Sequence, residues 1–279
     1  MRIRIRHRTA YSFDGPVFLE PHIIRMRPRI DGSIQLVDFA LDIDPPPAVR
    51  SENLDPEGNV VTRVWFESKT SHLTVEARSV VDTLITDPFQ FLIVDADRPL
   101  PYSYPPDFAD RLALYRRPPD AAHPSVRQMA LDAANESGRN PAGFPLALAR
   151  RIEHDFTVEP RPEGPPYLPE STIATRRGAC RDLAVLFIAC CRAMGLAARF
   201  ASGYACAEGN EELHAWGEVF LRGGGWRGYD PSQGLALADR HVTIAAAANP
   251  RHAAPVDGTF RGDGVESTMS AEVDLQADE

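Results

Sequence analysis

The chain has 279 residues, 43% of them hydrophobic and 25% charged, with a net charge of −9 and a pI near 5.4. That length leaves room for two ordinary domains with real cores. The acidic balance excludes nucleic acid as the main partner, because phosphate binding needs a positive surface. No apolar run is long enough to cross a bilayer, so no membrane partner is expected either.

The opening Met1–Phe13 alternates arginine with apolar residues at period two and has no apolar core of the signal-peptide kind, so it reads as a strand. Gln35–Ile43, Val60–Phe66 and Leu73–Val81 are further strand patterns. They are separated by the turn clusters Asp31-Gly32-Ser33, Pro45-Pro46-Pro47 and Asp55-Pro56-Glu57-Gly58-Asn59. Short strands at this spacing predict a β-sandwich over residues 1–90. Residues 91–124 form a proline-rich linker with Tyr102, Tyr104 and Tyr115, expected to pack as ordered chain on both domains. Helical periodicity then covers Ser125–Ala134 and Pro145–Phe156, and Thr157–Pro169 is a proline- and glycine-rich loop. A second domain is expected over 125–245, with 246–279 as a C-terminal extension. Charge is uneven along this order. Seven arginines lie in the first thirty residues, while the chain after Arg261 carries acidic charges alone.

The most informative stretch runs from Arg177 to Gly195. Leu183, Phe187, Cys191 and Met194 mark one helical stripe, and apolar residues on other faces make this a buried central helix ending at Gly195. Gly178 and Ala179 place Cys180 in its first turn, where free N–H groups and the helix dipole favour a thiolate nucleophile. Cys190 and Cys191 lie deeper in the helix and read as small apolar core residues. Asp182 suits the first turn structurally. The four cysteines, Cys206 included, suggest no disulfide framework, and a cytoplasmic setting is expected.

After a strand at Ala198–Tyr204 comes Glu212–Leu221, on which His214, Trp216, Glu218 and Phe220 share a face. Gly223-Gly224-Gly225 turns the chain, and Trp226–Asp230 returns as the partner strand. That hairpin brings Asp230 within a residue or so of His214. Cysteine, histidine and carboxylate then have the nucleophile, base and orienter relation of covalent acyl transfer. Glu218 is the competing orienter. A zinc site from Cys190, Cys191, Cys206 and His214 lacks ligand spacing, and the remaining histidines, His241 among them, read as structural.

These residues carry a resemblance. Gly178-Ala179-Cys180-Arg181-Asp182-Leu183-Ala184, His214-Ala215-Trp216-Gly217-Glu218 and Tyr229-Asp230-Pro231 resemble the ordered motifs of bacterial transglutaminase-like proteins. His7, Pro21-His22, Arg25-Met26-Arg27-Pro28 and Asp55…Gly58-Asn59 are similar to the β-rich N-terminal region of such proteins. The resemblance implies an α+β, papain-like core with Cys180, His214 and Asp230 as its triad, and no cofactor or metal. It leaves protease, amidase, deamidase and crosslinker open; Arg176, Arg177 and Arg181, clustered beside Cys180, should repel an ammonium group and so favour a protease or amidase acting on a peptide or protein substrate. A glutamine transamidase and a non-catalytic peptide-binding protein are the alternatives. Arg181, Trp216 and Tyr167 are the candidate substrate-binding residues. Two positions depart from the pattern. Val185 stands where bacterial relatives commonly have histidine, and Ala245-Ala246-Ala247-Ala248-Asn249-Pro250 replaces a stretch with tyrosine and aspartate.

Overall fold

The computed structural model describes residues 1–94, 97–116, 122–161, 164–207 and 210–278. Six strands come first: β1 (Arg2–Leu19), β2 (His22–Ile24), β3 (Ile34–Asp44), β4 (Val49–Leu54), β5 (Val60–Trp65) and β6 (Lys69–Thr83). The period-two pattern of β1 buries Ile3, Ile5, His7 and Thr9, while the arginines between them lie outward. Two antiparallel sheets result, one centred on β1 and β6, the other built on β2, β5 and β4. They enclose a core that includes Val17, Leu19, Ile24, Met26, Val64 and Val75, which is the expected sandwich.

The linker holds two short helices, α1 (Pro106–Arg111) and α2 (Ala113–Arg116), and is anchored by its tyrosines. Tyr102 and Tyr104 are buried in the main core, and the Tyr104 hydroxyl donates to the Phe220 carbonyl at 2.6 Å. Tyr115 donates to Glu57 of the N-terminal unit. The segment therefore packs on both parts of the molecule. Its residues 117–121 lie outside the described chain.

Helices α3 (Pro124–Glu136), α4 (Phe144–Asp155), α5 (Pro169–Thr175) and α6 (Cys180–Ala193) follow, with the short parallel pair β7 (Thr157–Val158) and β8 (Arg177–Gly178). Next come β9 (Ala198–Ala207), β10 (Asn210–Leu221), β11 (Gly225–Asp230), β12 (Leu235–Ala236) and β13 (His241–Ala247), joined in the order β12-β11-β10-β9-β13. α6 is buried between the other helices and this sheet, its Leu183, Ala184, Leu186 and Phe187 all inaccessible. Close approach is possible because β10 has Gly217 there; a Cβ would collide with the Phe187 ring.

The sheet's other face meets the N-terminal unit through Ile3, Ile5, Val81, Tyr204, Val242 and Ile244. Beside this contact the Asp55–Asn59 turn clamps β13. Asn59 Oδ1 accepts from the Ala246 N–H at 2.8 Å, and Asn59 Nδ2 donates to the Ala246 carbonyl at 3.0 Å. Glu57 accepts from the Ala248 N–H, and Arg29 bonds Asn59. Seven consecutive buried residues make β13 a strand with no solvated face, which accounts for its alanines.

Residues 246–279 are not an appendage. After β14 (Val256–Asp257) and β15 (Phe260–Arg261), β16 (Ser267–Asp278) pairs with β1 from Phe13 back to Arg2. The uneven charges meet here: Arg4 pairs with Asp278, and Arg6 with Asp274 and Glu76. The N-terminal unit is thus completed by the chain's last strands.

Candidate active site

Cys180 opens α6, partly exposed. Asp182, wholly buried, organises the turn before it. Its Oδ2 accepts from the Ala179 N–H at 2.8 Å, half of a capping box, since alanine has no side-chain oxygen to return the bond. Asp182 Oδ1 accepts from the Tyr167 N–H at 2.8 Å and from Arg161 at 2.6 Å, tying the loop before α5 to the helix start. Gly178 is required by this packing, for a Cβ there would sit 2.8 Å from that of Asp182. The structural reading of Asp182 holds.

His214 and Asp230 are both buried, and His214 Nε2 lies 2.7 Å from Asp230 Oδ2. Their register differs slightly from expectation. The β10–β11 ladder ends at Gly217↔Tyr229, so Asp230 follows opposite Trp216 and reaches His214 diagonally. With Nε2 committed to Asp230, Nδ1 is the nitrogen left for Cys180, which lies close enough to favour the protonated ring. Burial opposes the imidazolium, but the bond to Asp230 and the nearness of Cys180 outweigh it, and the His214 pKa is pushed up to about 10. Burial also opposes the charge of Asp230, yet the bond from His214, the nearby His241 ring and the bonds from Ser232 hold its carboxyl well below the usual range. Glu218 is occupied elsewhere, accepting from Arg199 at 2.6 Å. The other helix cysteines are different in kind. Burial pushes the Cys190 thiol up to about 12 and that of Cys191 well above its ordinary value.

The three candidate substrate contacts separate. Tyr167 is 47% exposed, with the Arg161 guanidinium 4.0 Å above its ring. Arg181, half-buried, lies close enough to Cys180, Arg161 and Tyr167 to feel their charges. Trp216 does not line an open surface. It is 0% exposed and packs among Ala201, Ala246 and Leu237, stacked near His214 and edge-on to His241. Arg176 and Arg177, which the sequence places just ahead of Cys180, turn instead to Asp155 and Glu159.

Three residues escaped the sequence reading. Ser232 donates its N–H and hydroxyl to Asp230 Oδ1 at 2.8 and 2.6 Å, an Asx turn that Asp230-Pro231-Ser232 could have signalled. Arg161 sits in a proline-rich loop without periodicity. His241 lies 3.6 Å from Asp230 and looked like any strand histidine. Among the described residues no cluster of three or more His, Cys, Asp or Glu could hold a metal, and no helix is long and apolar enough to cross a membrane.

A buried carboxylate–imidazole pair against a helix-tip cysteine, on an α+β core, is the arrangement of the transglutaminase-like class. Residues 3–82 match the bacterial transglutaminase-like N-terminal region, and residues 130–231 match the transglutaminase-like superfamily core. The chain belongs to that superfamily. It is 28% identical to an uncharacterised protein of Mycobacterium tuberculosis, over 98% of this chain and 92% of that one. A Mycobacterium leprae relative is 24% identical over 94% of each chain. In structure it is similar to a proposed cysteine protease from Cytophaga hutchinsonii, with TM-score 0.73 and 23% identity over 100% of this chain and 92% of that one. The likeness extends through both parts and defines the fold as papain-like.

Proposed function

We propose that the protein is a cysteine-dependent amide-bond hydrolase, a protease or amidase, with Cys180 as nucleophile, His214 as acid and base, and Asp230 as orienter. The observation that carries it is a buried imidazole bonded through Nε2 to a carboxylate, its pKa raised by Asp230 and by the helix-tip cysteine, so that it is poised to hold a proton at neutral pH. The Cys180 thiolate adds to the substrate carbonyl. The resulting oxyanion lies at the start of α6, where the Cys180 N–H precedes the first bonds of the helix, from Asp182 and Leu183 to the Ala179 carbonyl. His214 gives its proton to the departing amine as the C–N bond breaks, leaving a thioester. Water then attacks with His214 accepting its proton, the C–S bond breaks, the acid leaves, and the Cys180 thiolate and protonated His214 are restored.

Tyr167, Arg161 and Arg181 form the wall beside the nucleophile. Their guanidinium groups repel a lysine ammonium and suit a peptide substrate bearing a carboxylate, which favours water over an amine as acceptor. Four free cysteines, two of them adjacent, fit a reducing cytoplasm. The test is a peptide library incubated with and without a millimolar primary amine and read by mass spectrometry. Free acids as the main products support hydrolysis; predominant amine incorporation would identify a transamidase.

A further inference from the structure

Behind Asp230 lies a second imidazole that the chemistry above does not use. His241 opens β13, its side chain 5% exposed, with Nε2 3.6 Å from Asp230 Oδ2. That oxygen is the one His214 already bonds. Neither ring nitrogen of His241 has a hydrogen-bond partner among the described residues. A buried imidazole left in this state is costly and calls for a reason. The ring is held edge-on against Trp216, centroids 5.3 Å apart, and its centroid is 6.3 Å from that of His214. It also borders a cavity of about 130 Å³ with Gln233, Leu235, Asp239 and Cys206, roomy enough for water to serve Nδ1.

We propose that His241 is a positioning residue that donates from Nε2 toward Asp230 Oδ2 and so limits how tightly Asp230 holds the His214 proton. The inference rests on reading Cys180, His214 and Asp230 as a triad. Asp230 Oδ1 is already saturated by the N–H and hydroxyl of Ser232, so Oδ2 alone sets the pull on His214. A 3.6 Å contact is longer than a normal hydrogen bond, and a small shift of either side chain closes it. A second donor on that oxygen draws off part of its charge. His214 then remains acidic enough to surrender its proton to a leaving amine. The ionisable groups around His241 are Asp230 and His214, with Asp239 and Arg240 beside it in the chain and Cys206 at the cavity wall.

The test uses full-length protein labelled with ¹⁵N-histidine. In wild type, His241 should be the Nε2–H tautomer. In His241→Phe, which keeps the ring and loses the donor, the His214 midpoint should rise by about half to one pH unit. His241→Gln, whose amide can donate, should bring the midpoint back toward the wild-type value. A role in packing alone would lower the melting temperature of His241→Phe and leave the midpoint in place, which overturns the proposal. If that variant does not fold, the wild-type tautomer decides: an Nδ1–H ring overturns it. The triad is checked separately with iodoacetamide. Alkylation of Cys180 as fast in His214→Ala as in wild type would overturn the triad itself, through a readout that does not involve His241.

Discussion

At the scale of single residues, burial gives His214 and Asp230 their properties. Each alone would resist ionising in that site, and each is held charged by the other. Removing the thiol leaves this pair in place, so Cys180→Ala should abolish turnover with a stability change within about 1 kcal/mol; urea unfolding beside an activity assay checks both halves. The folded His214 value near 10 exceeds the ~6.5 of an unfolded histidine. Its ionised form therefore adds stability that is complete below about pH 6.5 and is lost as pH rises toward 10. Asp230 acts in the opposite direction, its contribution present above the ordinary ~3.9 and lost only as pH falls through its depressed value. The urea midpoint of wild type should fall between pH 6.5 and 10, and His214→Ala should flatten that fall. Asp230→Ala should cost less activity than His214→Ala, because the histidine moves the proton and the aspartate orients it. Comparing kcat/KM for the two variants tests this order. An Asp230→Ala as inactive as His214→Ala would show that the aspartate does more than orient.

At the scale of elements, α6 and the β10–β11 hairpin were legible because their signals are local. A helical stripe, a helix-opening cysteine and a glycine turn need no knowledge of the rest of the chain. The pairing of Asp230 with His214 was legible too, but its diagonal form was not, because turn residues fix where a ribbon folds more loosely than they fix register. Gly217 carried no signal, since its reason is the Phe187 ring on another element. Gly217→Ala should cost about 1–3 kcal/mol by forcing α6 away from β10, and should lower activity by moving Cys180 relative to His214. Gly143→Ala is the control, because nothing lies within 4 Å of the added methyl group and its φ is −82°. Equal unfolding free energies for the two variants would refute the packing argument.

Across the whole molecule, the boundary drawn from sequence at residue 246 failed because strand pairing is not recorded in composition. Residues 246–279 read as a C-terminal extension, yet the alternation of the last strand matches β1 and its charges meet the early arginines. Those exposed ion pairs are worth little individually; backbone pairing and burial of Leu275 opposite Ile5 hold the strand. The clamp at Asn59 was equally hidden, since a turn sequence says nothing of what its side chains reach. Asn59→Ala would leave the N–H and carbonyl of Ala246 buried without partners, at a cost of about 2–4 kcal/mol in chemical unfolding. A loss below about 0.5 kcal/mol would mean that the clamp is not what joins the two parts.

The pairing of β1 with β16 also has a meaning in time. Arg4 and Asp278 are bridged across 274 positions, so β1 leaves the ribosome well before β16 does. Until β16 emerges, one edge of β1 presents unpaired backbone, which is the usual template for aggregation. The arginines that alternate along β1 then act as gatekeepers of the nascent chain, repelling a second copy until the acidic strand arrives to neutralise them.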